Sequence, residues 1–268
     1  MHASLARRVA AVLLAVATVS CGGPSPTAQS DTPTPAGAAP VIKPVVLEEI
    51  PHDATAWTQG LELNEGILYE GTGIKGRSQV RELDPATGAV RRVAPAPHDY
   101  YGEGITVIGD RIWELTWRDG VAVEWDKATL TPVREVPVDG EGWGLCHDGD
   151  RLVRSDGSDR LRFHDPATFA ETGSVPVTRD DQPLRDLNEL ECVDGRVWAN
   201  VWHSDEIVRI DPATGRVDTV VDAAGLWPGQ GDEREKVLNG IAHVSGDEYL
   251  LTGKFWPTMY RVRLDPPN

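Results

Sequence analysis

The sequence predicts an all-β fold, a five-bladed β-propeller closed by pairing of its N- and C-terminal strands, and three observations carry that expectation. First, five short segments are versions of one another: Gln59-Gly60-Leu61, Glu103-Gly104-Ile105, Trp143-Gly144-Leu145, Asn188-Glu189-Leu190 and Asn239-Gly240-Ile241. Each sets a polar or aromatic residue before a turn-tolerant one and an aliphatic. Second, the end of another strand follows each at offsets of 14, 14, 14, 14 and 15 residues, at Gly73, Trp117, Gly157, Trp202 and Lys254. A repeated antiparallel hairpin produces such a constant offset, because the first residue of one strand and the last of its partner lie at the same end of the ladder. Third, the repeats recur at the spacing of propeller blades.

Taken from the N-terminus, residues 1–20 read as a signal peptide: Arg7 and Arg8 precede an apolar run from Val9 to Val19 that is short for a membrane span. Thr18-Val19-Ser20-Cys21-Gly22 resembles a bacterial lipobox, although Thr18 stands where Leu is usual. The expectation is an exported chain, lipid-anchored through Cys21 to the outer face of a bacterial membrane; an ordinary secretory signal is the alternative. Residues 21–42, rich in Pro, Ser, Thr and Ala, hold too few large apolar side chains to build a core and read as a flexible tether. Residues 43–268 are then one propeller domain, expected to be monomeric.

Within that domain a recurrent turn ends the third strand of each copy: Asp84-Pro-Ala-Thr-Gly88, Asp126-Lys-Ala-Thr-Leu130, Asp165-Pro-Ala-Thr-Phe169 and Asp211-Pro-Ala-Thr-Gly215. Asp and Pro initiate such turns and Gly closes them with a positive φ; as metal ligands these aspartates are far less economical to explain. Outer strands follow at Val90–Val93, Val133–Val136, Gly173–Val175 and Val217–Val220. The fifth copy ends after its third strand, Met259 to Leu264, and the strand-like segment from Pro44 to Ile50 can supply its fourth, removing the open edges. Longer connections at Thr178–Leu187 and Ala223–Val237 are placed on the functional rim, with a helical turn at Asp232–Lys236.

Without Arg7 and Arg8 the chain carries 24 basic against 42 acidic residues, a net −18, which disfavours nucleic acid as a partner. Cys146 lies three residues after Trp143 and Cys192 four after Asn188, so strand alternation points them opposite ways; two free, buried thiols are expected. His147 and His243 share the inner-strand register of Cys192 and are expected to be packed.

The ten register positions share one rim, which carries Gln59, Glu103, Trp117, Trp143, Asn188, Trp202, Asn239 and Lys254. Nine tryptophans against three phenylalanines is an unusual balance, and Trp57, Trp117, Trp143, Trp202 and Trp256 fall at or beside the rim, whereas Trp113, Trp125 and Trp198 sit mid-strand in the core. An aromatic-lined pocket accounts for the rim set. Glu103 is the one acid of the register and Lys254 the one cation. Desolvation among tryptophans would raise the Glu103 pKa into the range useful for proton transfer, and its flanking glycines are expected to let a ligand approach. One carboxylate, one ammonium and the amides of Gln59, Asn188 and Asn239 suit acyl chemistry on a small polar substrate. Glu62, Glu189 and Glu191 face the central channel, where a structural cation or plain hydrogen bonding would satisfy them. No His-Glu-x-x-His, Cys-x-x-Cys or P-loop pattern is present.

The ordered motifs Thr58-Gln-Gly-Leu61, Tyr69-Glu-Gly-Thr-Gly73, Tyr101-Gly-Glu-Gly104, Leu115-Thr-Trp117, Gly142-Trp-Gly-Leu145, Ser155-Asp-Gly157, Leu187-Asn-Glu-Leu-Glu191, Trp198-Ala-Asn-Val-Trp202, Leu238-Asn-Gly-Ile-Ala242 and Thr252-Gly-Lys-Phe-Trp256 closely resemble the plant and bacterial type of glutaminyl-peptide cyclotransferase. The resemblance implies a five-bladed propeller that converts N-terminal glutamine of peptides or proteins to pyroglutamate with release of ammonia and needs no metal or other cofactor for catalysis. It implies Glu103 as the catalytic acid/base and Trp57, Gln59, Trp117, Trp143, Asn188, Trp202 and Lys254 as substrate-binding residues. Two departures stand out: Trp57 where the family commonly has Phe, and Gly71 where Ser is common. The competing readings are a metal-dependent propeller hydrolase or lyase, and a non-enzymatic envelope lipoprotein that binds a ligand.

Overall fold

A computed structural model describes residues 37–227 and 235–265. The signal segment, Cys21, the tether up to residue 36 and the first three residues of the expected helical turn lie outside them. Every regular element among the described residues is a β-strand. β1 (Val41–Ile42) and β2 (Val45–Pro51) precede a first antiparallel sheet of β3 (Thr58–Asn64), β4 (Ile67–Thr72), β5 (Gln79–Leu83) and β6 (Val90–Pro95). The second contains β7 (Gly102–Ile108), β8 (Arg111–Thr116), β9 (Val121–Asp126) and β10 (Thr131–Pro137). The third contains β11 (Leu145–Asp148), β12 (Arg151–Arg154), β13 (Arg160–His164) and β14 (Glu171–Pro176). A small hairpin, β15 (Thr178–Arg179) and β16 (Gln182–Pro183), leads to the fourth sheet of β17 (Leu187–Val193), β18 (Arg196–Val201), β19 (Glu206–Asp211) and β20 (Arg216–Asp222). The last sheet is β21 (Leu238–Ser245), β22 (Glu248–Gly253) and β23 (Thr258–Arg263), with β2 paired antiparallel to β23.

This is β-propeller architecture. The inner strands β3, β7, β11, β17 and β21 contact one another in that order, and β21 contacts β3. The core is divided accordingly into apolar clusters between successive sheets. Tyr69 and Val80 meet Ile105 and Trp125; Trp113 and Leu115 meet Leu145 and Leu152; Val153 and Leu161 meet Leu190 and Val208. Trp198 and Ile207 then meet Ile241 and Tyr249, and Leu250 and Met259 meet Leu61 and Leu68. The mid-strand tryptophans Trp113, Trp125 and Trp198 are buried, as their positions require.

The turn aspartates do what side-chain capping demands. Asp84 Oδ1 accepts the amides of Ala86 and Thr87, and Asp165 Oδ1 those of Ala167 and Thr168. Gly88 and Gly215 close their turns at φ 68° and 72°; Leu130 and Phe169 adopt the same left-handed conformation at φ 52° and 62°, with their side chains buried in the core.

Cys146 and Cys192 form a disulfide with Cα atoms 5.5 Å apart, which overturns the expectation of free thiols. They do face opposite ways in their own sheets. Because propeller sheets stack face to face, opposite faces of neighbouring sheets converge: β11 contacts β17, and Cys146 sits in the cluster that contains Leu190 and Val197 of the next sheet. His147 and His243 are half-buried, the latter with its ring centroid 5.1 Å from that of Tyr249.

Candidate active site

Each inner strand except β11 carries a register shift at the repeated motif: between Thr58 and Gly60, Gly102 and Ile105, Leu187 and Leu190, and Leu238 and Ile241. A bulge frees one residue from the ladder and re-aims its side chain. Gln59, Glu103, Asn188 and Asn239 occupy these positions. In the same four hairpins the second strand then delivers its last residue to the same rim through one recurring bond. The amide of Gly73 donates to Trp57 O (2.8 Å), that of Trp117 to Tyr101 O (3.0 Å), that of Trp202 to Asp186 O (2.8 Å) and that of Lys254 to Val237 O (2.9 Å).

The result is a cavity of about 370 Å³ lined by all eight of the side chains named from sequence: Trp57, Gln59, Glu103, Trp117, Trp143, Asn188, Trp202 and Lys254. Tyr101, His203, Glu235 and Val237 complete it and were not anticipated. Tyr101 had a visible signal, since it precedes the Gly102-Glu103 bulge as Trp57 and Asp186 precede theirs; His203 and Glu235 stand in connections with no repeat partner. Trp256 is a correction. It is buried beneath the rim among Trp227 and Tyr260 with its indole N–H on Lys236 O (3.1 Å) and does not line the cavity. Asn239 lies behind the wall, donating to Thr58 O (2.9 Å) and Gln59 Oε1 (3.3 Å).

Glu103 is 4 % exposed and accepts a hydrogen bond from Gln59 Nε2 at 2.8 Å. The chain Asn239 to Gln59 to Glu103 therefore fixes which carboxylate oxygen is occupied. Burial raises the Glu103 pKa well above its ordinary value; the Lys254 charge opposes this, and Glu141 and Glu114 add to it. Burial pushes Lys254 down to about 8, against the pull of Glu103, and its Nζ stands 5.1 Å from the Trp57 ring centroid. The Asn188 side chain makes no hydrogen bond to another described residue and faces the cavity, while its backbone carbonyl accepts Ser155 Oγ at 2.6 Å. Aromatic rings form the walls: Trp143 meets Trp202 edge-on (5.3 Å, 84°), Tyr101 meets Trp117 (5.4 Å), and Trp57 meets Phe255 (5.0 Å).

The glycines beside Glu103 serve packing and not ligand approach, contrary to expectation. A Cβ on Gly104 would lie 2.6 Å from both Leu145 N and Trp143 O, and one on Gly102 would lie 2.5 Å from Glu114 Oε1. Gly104 lets neighbouring inner strands touch around the axis, and Gly102 lets the chain pass beside Glu114 and Thr72 O. The channel carboxylates also bridge strands. Glu189 accepts the amides of Leu61 (3.2 Å) and Ile241 (2.9 Å), Glu191 that of His243 (2.7 Å), and Glu62 accepts Thr106 Oγ1 (2.7 Å) and Val107 N (3.0 Å). Among the described residues no group of three or more His, Cys, Asp and Glu side chains is arranged to hold a metal ion.

A buried carboxylate of raised pKa, a lysine lining the same cavity and amides in an aromatic cup can move a proton and stabilise a developing oxyanion. Comparison with known proteins agrees in fold and in sequence. The family model described as glutamine cyclotransferase matches residues 13–264. A glutaminyl-peptide cyclotransferase of Arabidopsis thaliana is 38% identical over 225 residues, covering 82% of this chain and 70% of that protein. The crystal structure of Myxococcus xanthus glutaminyl cyclase superposes with a TM-score of 0.80 at 38% identity, over 86% of this chain and 100% of that one. On the matched family model and on that identity, this chain belongs to the glutamine cyclotransferase family.

Proposed function

We propose that the protein cyclises N-terminal glutamine of peptides or proteins to pyroglutamate and releases ammonia. The observation that carries this reading is Glu103, buried at the floor of an aromatic cup and bonded to Gln59, with Lys254 lining the same cavity. A free α-amine has a pKa near 8 and is partly neutral at working pH. The cup folds the glutamine side chain so that this amine attacks its own γ-carboxamide carbon, an orientation effect. A C–N bond forms, Glu103 accepts the proton shed by the attacking nitrogen and returns it to the departing one, and the old C–N bond breaks with ammonia as leaving group. Lys254 and the amides of Gln59 or Asn188 stabilise the oxyanion. The tryptophans hold the aliphatic stem and exclude water.

The same proposal covers the architecture and the location of the domain. The five sheets are five blades, with β2 completing the last one and closing the ring; the domain, to which β1 belongs through its pairing with β20, is a monomer on a tether from Cys21, lipid-bound outside the membrane. No metal takes part in turnover. The amides that Glu62, Glu189 and Glu191 accept favour strand bridging over a channel cation, and elemental analysis of the purified protein checks this.

The test is ammonia release from a Gln-initiated dipeptide amide by residues 37–268, which keep β1 on β20, with and without EDTA. Chelator-resistant release is expected. Loss of release with EDTA would move the chemistry to a metal, and no release from folded protein would leave a ligand-binding protein. Glu103→Gln should lower kcat by about 10²–10⁴-fold without unfolding the protein; full turnover in that variant would remove Glu103 from the mechanism.

A further inference from the structure

The cup is lined by four indoles, and two of them share one acceptor that does not itself line the cavity. Glu141 Oε2 accepts the indole N–H of Trp117 at 2.8 Å and that of Trp143 at 3.0 Å. Its other oxygen accepts Arg118 Nε at 2.8 Å, and the Arg118 guanidinium lies 4.1 Å from the Trp117 ring centroid. The carboxylate is thus held from both sides. Its backbone is held as well. Arg154, buried on β12, donates to the carbonyls of Glu141 (2.8 Å) and Asp139 (3.2 Å), and the Gly142 amide donates to Trp117 O (3.1 Å). Gly142 cannot be replaced without moving this loop, since its Cβ would lie 2.6 Å from Thr116 O.

We infer that Glu141 is a positioning residue that sets the orientation of Trp117 and Trp143, and through Trp143 the edge-on contact with Trp202. A ring wall built from side chains with two free torsions is only as precise as the bonds that stop it turning. An indole N–H is a donor with one direction, so an acceptor common to two indoles fixes both ring planes relative to each other. A charged acceptor makes both bonds stronger than neutral ones. The second ring fixed this way passes its orientation on, because Trp143 meets Trp202 at 84° and Trp202 lies against His203 with centroids 4.1 Å apart and planes tilted by 42°. Glutamine at 141 cannot reproduce this arrangement. If its carbonyl oxygen takes the indoles, its amide N–H meets the Arg118 N–H; if it turns over, both indoles lose their acceptor.

This rests on the cyclotransferase reading for its kinetic consequence and not for its structural one, and the test separates them. In Glu141→Ala and Glu141→Gln, KM for a Gln-initiated dipeptide amide should rise roughly tenfold with kcat within about threefold, the pattern of lost substrate binding. The near-UV circular dichroism of the tryptophans should change while the far-UV spectrum does not. In a Trp117→Phe/Trp143→Phe background, which keeps rings but has no N–H to hold, Glu141→Gln should have no further effect on KM. Unchanged KM, or the same KM penalty in the Phe background, would overturn the assignment. If the parent protein releases no ammonia, the cyclotransferase reading falls, and an unchanged near-UV spectrum in Glu141→Ala would then overturn the positioning role independently.

Discussion

Glu103 and Lys254 are both pushed toward their neutral forms by burial, and each is held back by the charge of the other. The pair therefore responds to removal of either member. Lys254→Met deletes the charge that most opposes the rise of Glu103, so Glu103 should titrate higher still and the acid limb of kcat/KM should move to higher pH. Burial pushes Lys254 down to about 8, so the parent should show an alkaline limb there that the variant lacks, with kcat/KM lowered about 10²-fold if the lysine stabilises the oxyanion. A pH–rate profile identical in shape to that of the parent would show that the two groups are not coupled in turnover. For stability, Lys254 works in one direction: its folded pKa lies below the ordinary 10.5, so its charged form is penalised below about pH 8 and that penalty is relieved as pH rises toward 10.5.

A strand bulge and a cross-sheet bond do most of the work in placing the site. Gly104 lets β7 approach the Trp143–Leu145 segment so closely that the Glu103 bulge can form; Gly104→Ala meets backbone atoms, which cannot swing aside. We expect a loss of about 1–3 kcal/mol together with reduced activity, measured by urea unfolding and ammonia release. The disulfide ties β11 to β17, the strands that lead away from Trp143 and Asn188. It closes a loop of 46 residues, for which chain entropy gives about 4 kcal/mol, so Cys146→Ala/Cys192→Ala should lower the urea midpoint and reductant should lower that of the parent to the same value. A midpoint indifferent to reductant would show that the bond does not form in solution. A disulfide also accords with an exported protein.

At the scale of the molecule, the sheet in which β2 pairs with β23 meets the first sheet, and a buried ionic pair holds that junction. His52, just after β2, bonds Glu70 Oε1 on β4 at 3.0 Å and Trp256 O at 2.8 Å, and Glu70 also accepts Thr58 Oγ1 at 2.8 Å. Burial works against the His52 charge, but Glu70 outweighs it and the pKa is raised; burial likewise opposes Glu70, whose pKa is lowered by His52 and Arg81. The His52 contribution is complete below pH 6.5 and is lost as pH rises through its raised folded value, whereas that of Glu70 is lost as pH falls through its lowered one. His52→Ala removes the nearer of the two charged partners of Glu70, leaving Arg81 and Thr58, and should cost about 3 kcal/mol, with a flatter dependence of stability on pH above neutrality. Thermal or urea unfolding across pH 5–9 checks both the size and the sign.

The hairpin periodicity, the turn chemistry and seven of the eight proposed site residues were legible along the chain because each depends on short-range spacing: a constant offset puts two residues at one end of a ladder whatever surrounds them. Trp57 stands outside that register, and Asn239, which shares it, lies behind the cavity wall. What spacing could not carry was how one sheet meets the next. Strand alternation placed Cys146 and Cys192 on opposite faces correctly, yet stacked sheets bring opposite faces together, so they bond. The same stacking put Trp256 under the rim and turned the glycines beside Glu103 into contact points between strands. It also brought Glu141 within reach of the Trp117 indole, 24 residues away, beside its local bond to Trp143. Local backbone geometry repeats with the sequence, whereas contacts between sheets depend on the twist and separation of elements distant in the chain, and no single segment encodes those.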